Sequence, residues 1–283
     1  MPNRLENQFL EAIDLSNLSI QFPNFFKGLT RPPRTMKDLL REFNDEKYGS
    51  ELFNSSNNHF SASSGYSEQK RLAKIYFDGE LFLKGDHGTI TNSYYKSILE
   101  KLGSLLPQVE NLVDLGCGSG EMLMSFHNSY PGHKYFGGDL SENALLLIEE
   151  KKTLSNITLQ TFQFDMNNFD AQEFNFIDGA LVYTSCLMMY GSTDNSNFIK
   201  CLINALPKFI VFIEPMTEYF SELGIWGLWA NEYFRYNLYS DSWDTTFTNI
   251  IMSSKEYELV EVHKYFFAPN PLLPISMKVY KRI

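Results

Sequence analysis

Long apolar runs are missing from this chain: no stretch approaches the about eighteen residues that a bilayer-spanning helix requires. Membrane association through a spanning helix is therefore not expected. Cysteine is scarce as well. Three residues, Cys117, Cys186 and Cys201, cannot form a fully paired disulfide framework. The opening Met1-Pro2-Asn3-Arg4-Leu5-Glu6 has no apolar segment, so the expected compartment is a reducing cytoplasm. Basic residues are in the minority, 24 Lys and Arg against 34 Asp and Glu, and the net charge of −10 repels polyanions at long range. Nucleic acid is disfavoured as a partner. The scattered basic stretch Arg31, Arg34, Lys37 and Arg41 reads as a solvated face.

What is present is a globular composition, 43% hydrophobic and 20% charged over 283 residues, sufficient for a substantial core. An irregular region runs to about residue 105 and divides the chain into 1–105 and 106–283. From residue 110 to 215 strands alternate with helices: Asn111 to Leu115, a helix through Met122, Leu123 and Phe126, a strand ending at Asp139, and a helix opened by Ser141 and Glu142. Ile157 to Phe164, Phe176 to Tyr183, a helix from about Asn195 to Leu206 and the apolar Phe209 to Ile213 continue the rhythm. Such alternation implies a parallel sheet covered on both faces. Val260 to Phe267 and Ser276 to Lys281 read as a closing antiparallel pair. In the first region, helices are expected at 3–14, 35–43, 67–77 and 91–103, forming a cap, and the Ser/Asn/Gly-rich 49–66 reads as a mobile connector.

Chemistry concentrates where the first strand of the alternating region ends. Asp114-Leu115-Gly116-Cys117-Gly118-Ser119-Gly120 places three glycines after a strand and at the opening of a helix, where the backbone can turn tightly and approach a ligand. The spacing is GxGxG, unlike the dinucleotide GxGxxG, and no Lys-Ser or Lys-Thr follows as in a P-loop. About twenty residues on, Asp139 ends the second strand, a position suited to a ribose diol. Asp165 ends the third beside Met166, where an acid can accept an adenine amino group while the thioether packs on the ring.

These motifs resemble those of the class I S-adenosylmethionine-dependent methyltransferases: Val113 to Gly120 is similar to their first motif, and Asp139 and Asp165 to the second and third. The resemblance implies a Rossmann-like three-layer α/β sandwich, with a mostly parallel seven-stranded sheet, an antiparallel last strand and a helical N-terminal cap. It further implies S-adenosylmethionine as donor and S-adenosylhomocysteine as product. Asp114, Gly116, Cys117, Gly118, Gly120, Asp139, Leu140, Asp165, Met166 and Tyr183 would form the cofactor pocket.

Methyl transfer is an in-line displacement that chiefly needs alignment and exclusion of water. For a hydroxyl acceptor a base is useful, and two candidates are His87, in the glycine-flanked segment Tyr76 to Gly88, and Glu214 at the end of the fifth strand. After the fourth strand, Tyr183-Thr184-Ser185-Cys186 departs from the Asn-Pro-Pro-Tyr pattern of amino-group methyltransferases. The aspartate of metal-dependent catechol-type enzymes is lacking there too, so no metal is expected. The insertion at about 216–256 holds all three tryptophans, and its Trp226, Trp229, Tyr233 and Tyr236 recur at helical spacing beside Arg235. That aromatic face suits a ring-shaped or sugar-like acceptor. O-methylation of a small molecule is the expected reaction. Methylation of tRNA or protein, and a non-catalytic cofactor-binding protein, are the alternatives, and a homodimer is left open.

Overall fold

The structure, a computed structural model, describes residues 35–56, 71–77, 79–85, 87–155, 157–170, 173–191, 195–269 and 272–283. In chain order the strands are β1 (Arg71–Phe77), β2 (Gly79–Gly85), β3 (Asn111–Leu115), β4 (Lys134–Asp139), β5 (Gln160–Gln163), β6 (Leu181–Ser185), β7 (Phe209–Pro215), β8 (Tyr257–Ala268) and β9 (Ile275–Arg282). The helices are α1 (Met36–Leu40), α2 (Gly49–Ser56), α3 (His87–Gly103), α4 (Glu121–Ser129), α5 (Glu142–Ser155), α6 (Ser196–Asn204), α7 (Ile225–Asn237) and α8 (Trp243–Ser254). A π-helix, Arg41–Tyr48, joins α1 to α2.

The strands form one sheet in the order β2-β1-β8-β9-β7-β6-β3-β4-β5. β3 pairs in parallel with β4 and β6, β4 with β5, and β6 with β7, whereas β9 lies antiparallel between β7 and β8. The expected seven-stranded sheet with a reversed last strand is therefore present, extended at one edge by the β1–β2 hairpin. Alternation along each central strand sends side chains to opposite faces. On one face Leu112, Leu181, Phe209 and Val211 pack against Tyr94, Ile98 and Leu102 of α3 and against Leu123 and Phe126 of α4. On the other, Val113, Val182, Ile210 and Phe212 meet Phe198 and Leu202 of α6 and Trp243 and Phe247 of α8. The result is the three-layer α/β sandwich.

Three local expectations are corrected. The helix expected at 67–77 is strand β1 over its described part. Leu72, Ile75 and Tyr76 have helical spacing, but pairing with β2 from Arg71↔Gly85 to Phe77↔Gly79, and with β8 at Ile75↔Phe267, decides for strand. The Tyr76-to-Gly88 segment thereby becomes a hairpin arm and the start of α3. Residues 49–56 of the expected connector are helical, and the rest of it lies outside the described residues, as does the helix expected at 3–14. The fourth parallel strand begins at Leu181, later than expected, because Asn175–Ile177 is a 3-10 turn followed by Gly179 at φ +69°.

Residues 36–56 cross over the carboxyl end of the parallel strands. Tyr48 packs on Ala144 and Leu147 of α5, with Phe43 and Leu52 at its side. Asn44 latches this roof to the start of α5: its Oδ1 accepts from Ser141 Oγ and Asn143 N, both at 3.0 Å, and its carbonyl accepts from Asn143 Nδ2 at 3.0 Å. Bonds of this kind contribute about 1 kcal/mol each, comparable to the burial of one aromatic ring at about 1.5–3 kcal/mol.

Candidate functional site

The glycine turn is held from below. Gly116 N and Cys117 N both donate to Gly138 O, at 2.8 and 3.0 Å, which ties the end of β3 to β4. Gly118 stands at φ +54°, and a Cβ there would lie 2.6 Å from the Tyr48 hydroxyl. At Gly116, φ +84°, a Cβ would meet Leu187 Cδ1 at 2.9 Å. Both positions need glycine for conformation and for space. Cys117 turns its thiol inward, against the backbone of β4, and burial pushes its pKa well up. Cys117 does not line the cavity at the strand ends.

Asp139 organises the turn through its carboxylate. Oδ2 accepts from Gly118 N and Oδ1 from Ser141 N, each at 2.8 Å. Burial raises its pKa, opposed by those two amide bonds. Four lone-pair directions leave room for further donors, such as a ribose diol. Asp165 accepts from Asn167 N at 2.9 Å and from Asn168 Nδ2 at 2.6 Å, capping the turn Met166–Asn168. Met166 and Phe164 beside it are buried.

Asp114 lies deeper, with Tyr183 donating its hydroxyl to Oδ2 at 2.6 Å. Its other oxygen, Oδ1, has no partner although fully buried. Burial is the main reason its pKa rises to about 7. Both Asp114 and Tyr183 sit beneath the glycine turn, outside the cavity wall.

A cavity of about 250 Å³ opens at these strand ends. Its floor is Gly116, Asp139, Leu140, Phe164, Asp165 and Met166, and its far wall is Ser185, Cys186, Leu187 and Tyr190. The roof is Leu40, Phe43, Lys47 and Tyr48. An acid at each of two strand ends, an apolar slot beside Met166 and a side-chain-free glycine turn fit the adenosyl and methionine parts of the cofactor that the motifs imply. The roof residues escaped sequence reasoning because a distant segment reaches the site by chain crossing, which no local pattern marks. Ser185 to Tyr190 carried a positional signal, the end of the fourth strand, without a motif. Cys186 adopts φ +55° there, and Tyr94 OH lies 2.8 Å from Ser185 Oγ. Such strained backbone often accompanies function.

The other candidates are placed as follows. His87 is the first residue of α3, with its side chain outside the described set. Glu214 is fully buried and accepts from Leu187 N at 2.9 Å and Met188 N at 3.2 Å. Burial raises its pKa to about 8, and it shapes the far wall from behind. Trp226 is buried against Leu223 and Leu272, with Trp229 and Tyr233 packed on the same cluster. Arg235 is exposed and paired with Glu232. The side chain of Tyr236 is outside the described set. None of these four described insertion residues lines the cavity; the insertion reaches it indirectly. Tyr239 contacts Tyr190 edge-on at 5.5 Å, and Ser240 N donates to Met189 O at 2.8 Å. Among the described residues no group of three or more His, Cys, Asp or Glu side chains is gathered for a metal ion. No described helix is long and apolar enough to cross a membrane.

Residues 112–208 match the model of the family described as a methyltransferase domain. No curated protein sequence matches the chain. Among solved structures, the magnesium protoporphyrin IX methyltransferase (ChlM) of Synechocystis PCC 6803 with bound S-adenosylhomocysteine superposes with a TM-score of 0.56. It is 12% identical, and the match covers 87% of this chain and 100% of that one. The plantazolicin methyltransferase BpumL, with a triazolic desmethyl analogue and S-adenosylhomocysteine, gives 0.51 at 13% identity, covering 87% and 95%.

Proposed function

We propose, from the premise that this chain carries a class I S-adenosylmethionine-dependent methyltransferase domain, that it methylates a hydroxyl of a small molecule. The observation that carries this reading is the roof: residues 41–48 are latched to α5 and cover the strand ends, which suits a compact acceptor better than a macromolecule. The net charge of −10 further disfavours an RNA acceptor. Two of the superposable enzymes carry names of small-molecule substrates, which agrees with it.

Asp139 holds the ribose, Asp165 with Met166 the adenine, and the side-chain-free surface of the Gly116-to-Gly120 turn receives the amino-acid end. S-adenosylmethionine, when bound, supplies a methyl group activated by a sulfonium. Ser185 and Tyr190 border the acceptor, with Phe43 edge-on to Tyr190 at 4.9 Å closing an aromatic corner. Tyr233 and Tyr239 of the insertion support that corner from outside. The bond formed joins carbon to the acceptor oxygen, the carbon–sulfur bond breaks, and the acceptor proton passes to a base, for which His87 is the candidate. Glu214 acts through the wall it positions.

Methyl-labelled S-adenosylmethionine offered together with hydroxylated small molecules, tRNA and protein tests the reading. Label recovered in the small-molecule fraction is expected. Label recovered in tRNA or protein overturns it.

A further inference from the structure

Lys47 and Tyr48 stand in the cavity roof beside the glycine turn, and each keeps a donor that no hydrogen bond among the described residues uses. Lys47 Nζ donates to Tyr48 OH at 3.0 Å and lies 4.5 Å from the centre of the Tyr48 ring. Among the described residues it has no carboxylate within ion-pair distance. Tyr48 accepts that bond, so its own hydroxyl proton remains to be donated, and the hydroxyl rests in the space that a side chain at Gly118 would fill. Both residues line the cavity with Gly116 and Asp139.

The surrounding charge is otherwise acidic. Asp139, Glu121 and Glu51 all act on Tyr48 and push its phenol pKa up after burial itself. The other nearby cation, Lys151, is already paired with Glu121 at 2.5 Å. An amino-acid zwitterion would offer its ammonium to these acids, whereas its carboxylate needs a cation, and Lys47 is the cation in place. S-adenosylmethionine carries one carboxylate, at its amino-acid end, the end assigned to the glycine turn.

We infer that Lys47 and Tyr48 clamp the carboxylate of S-adenosylmethionine against the glycine turn, so that the N-terminal roof is part of the cofactor site. This rests on the cofactor assignment above. The roof contributes a charge-assisted pair of donors that β3, β4 and β5 do not supply.

Calorimetric titration of the full chain with two ligands tests it: S-adenosylhomocysteine, which has the amino-acid end, and 5′-deoxy-5′-methylthioadenosine, which keeps adenine, ribose and sulfur but lacks that end. Lys47→Gln is expected to weaken S-adenosylhomocysteine about ten-fold and to leave the truncated ligand unchanged. Tyr48→Phe should show a smaller loss with the same selectivity, and Lys47→Arg should retain most of the affinity. Added salt should erode wild-type binding of S-adenosylhomocysteine more than that of the truncated ligand. Equal loss for both ligands in Lys47→Gln assigns the residue to roof packing and overturns the clamp, as does no loss for either. Wild-type protein that binds neither ligand overturns the cofactor reading, and the clamp with it.

Discussion

Replacing Gly118 by alanine probes the contact between turn and roof. At φ +54° an L-residue costs about 1–2 kcal/mol, of which the reduced freedom of the unfolded chain returns about 0.4–1 kcal/mol. The new Cβ, 2.6 Å from the Tyr48 hydroxyl and 3.5 Å from Cζ, must push the ring out of its seat on Ala144 and Leu147. Overpacking of this sort costs about 1–3 kcal/mol. The expected total is about 3 kcal/mol, or a Tm lowered by roughly 6–12 °C. Tyr48→Phe removes the atom that collides and one bond from an exposed lysine, so alone it should cost less than about 1 kcal/mol. The double mutant should recover about 1 kcal/mol relative to the sum of the singles. Thermal and urea denaturation of the four proteins measure this cycle. Additivity within about 0.5 kcal/mol refutes the contact, and with it the placement of residues 41–48 over the turn.

Asp139→Ala removes the acceptor for Gly118 N and Ser141 N and, on the proposed reading, the ribose acid, so calorimetry should show cofactor binding abolished or greatly weakened; a folded mutant of unchanged affinity refutes the assignment. Asp114 has a folded pKa of about 7 against an ordinary 3.8, so the native state holds an extra proton between those values. Its contribution is therefore best below pH 3.8 and is lost as pH rises through 7, a slope of at most about 1.4 kcal/mol per pH unit. Asp114→Asn should flatten the stability profile across pH 4–7, and an unchanged profile shows that the carboxyl is charged throughout. Tyr190→Ala should raise the acceptor KM in steady-state assays while calorimetry shows cofactor affinity held; equal losses would return Tyr190 to a structural role. Trp226→Ala should cost about 3–5 kcal/mol by chemical denaturation, as a core residue does, and a loss confined to acceptor binding would contradict its burial.

The legibility of this protein follows from which interactions are local. Gly116, Gly118 and Gly120 are demanded by a turn spanning five residues, and Asp139 and Asp165 each end a strand of the same alternating unit. Their order and spacing are thus visible in the amino-acid string. So is the parallel sheet, because Phe209 to Ile213 and Leu112 to Val113 must be buried on both sides. Helical spacing misleads at Leu72, Ile75 and Tyr76, since strand is decided by cross-strand pairing, with β2 along the whole of β1 and with β8 almost two hundred residues away. The same limit applies to the aromatic face of α7: periodicity shows that Trp226, Trp229 and Tyr233 share a side, and only the packing of Leu223 and Leu272 shows what covers it.

What the sequence determined by itself is the glycine turn and the two strand-end acids, because they are specified by backbone geometry within one contiguous unit. Only the tertiary structure decided the roof and the far wall of the cavity. Tyr48 meets Gly118, and Glu214 meets Leu187, through contacts between residues 70 and 27 positions apart, and nothing short of the folded chain brings such groups to one place.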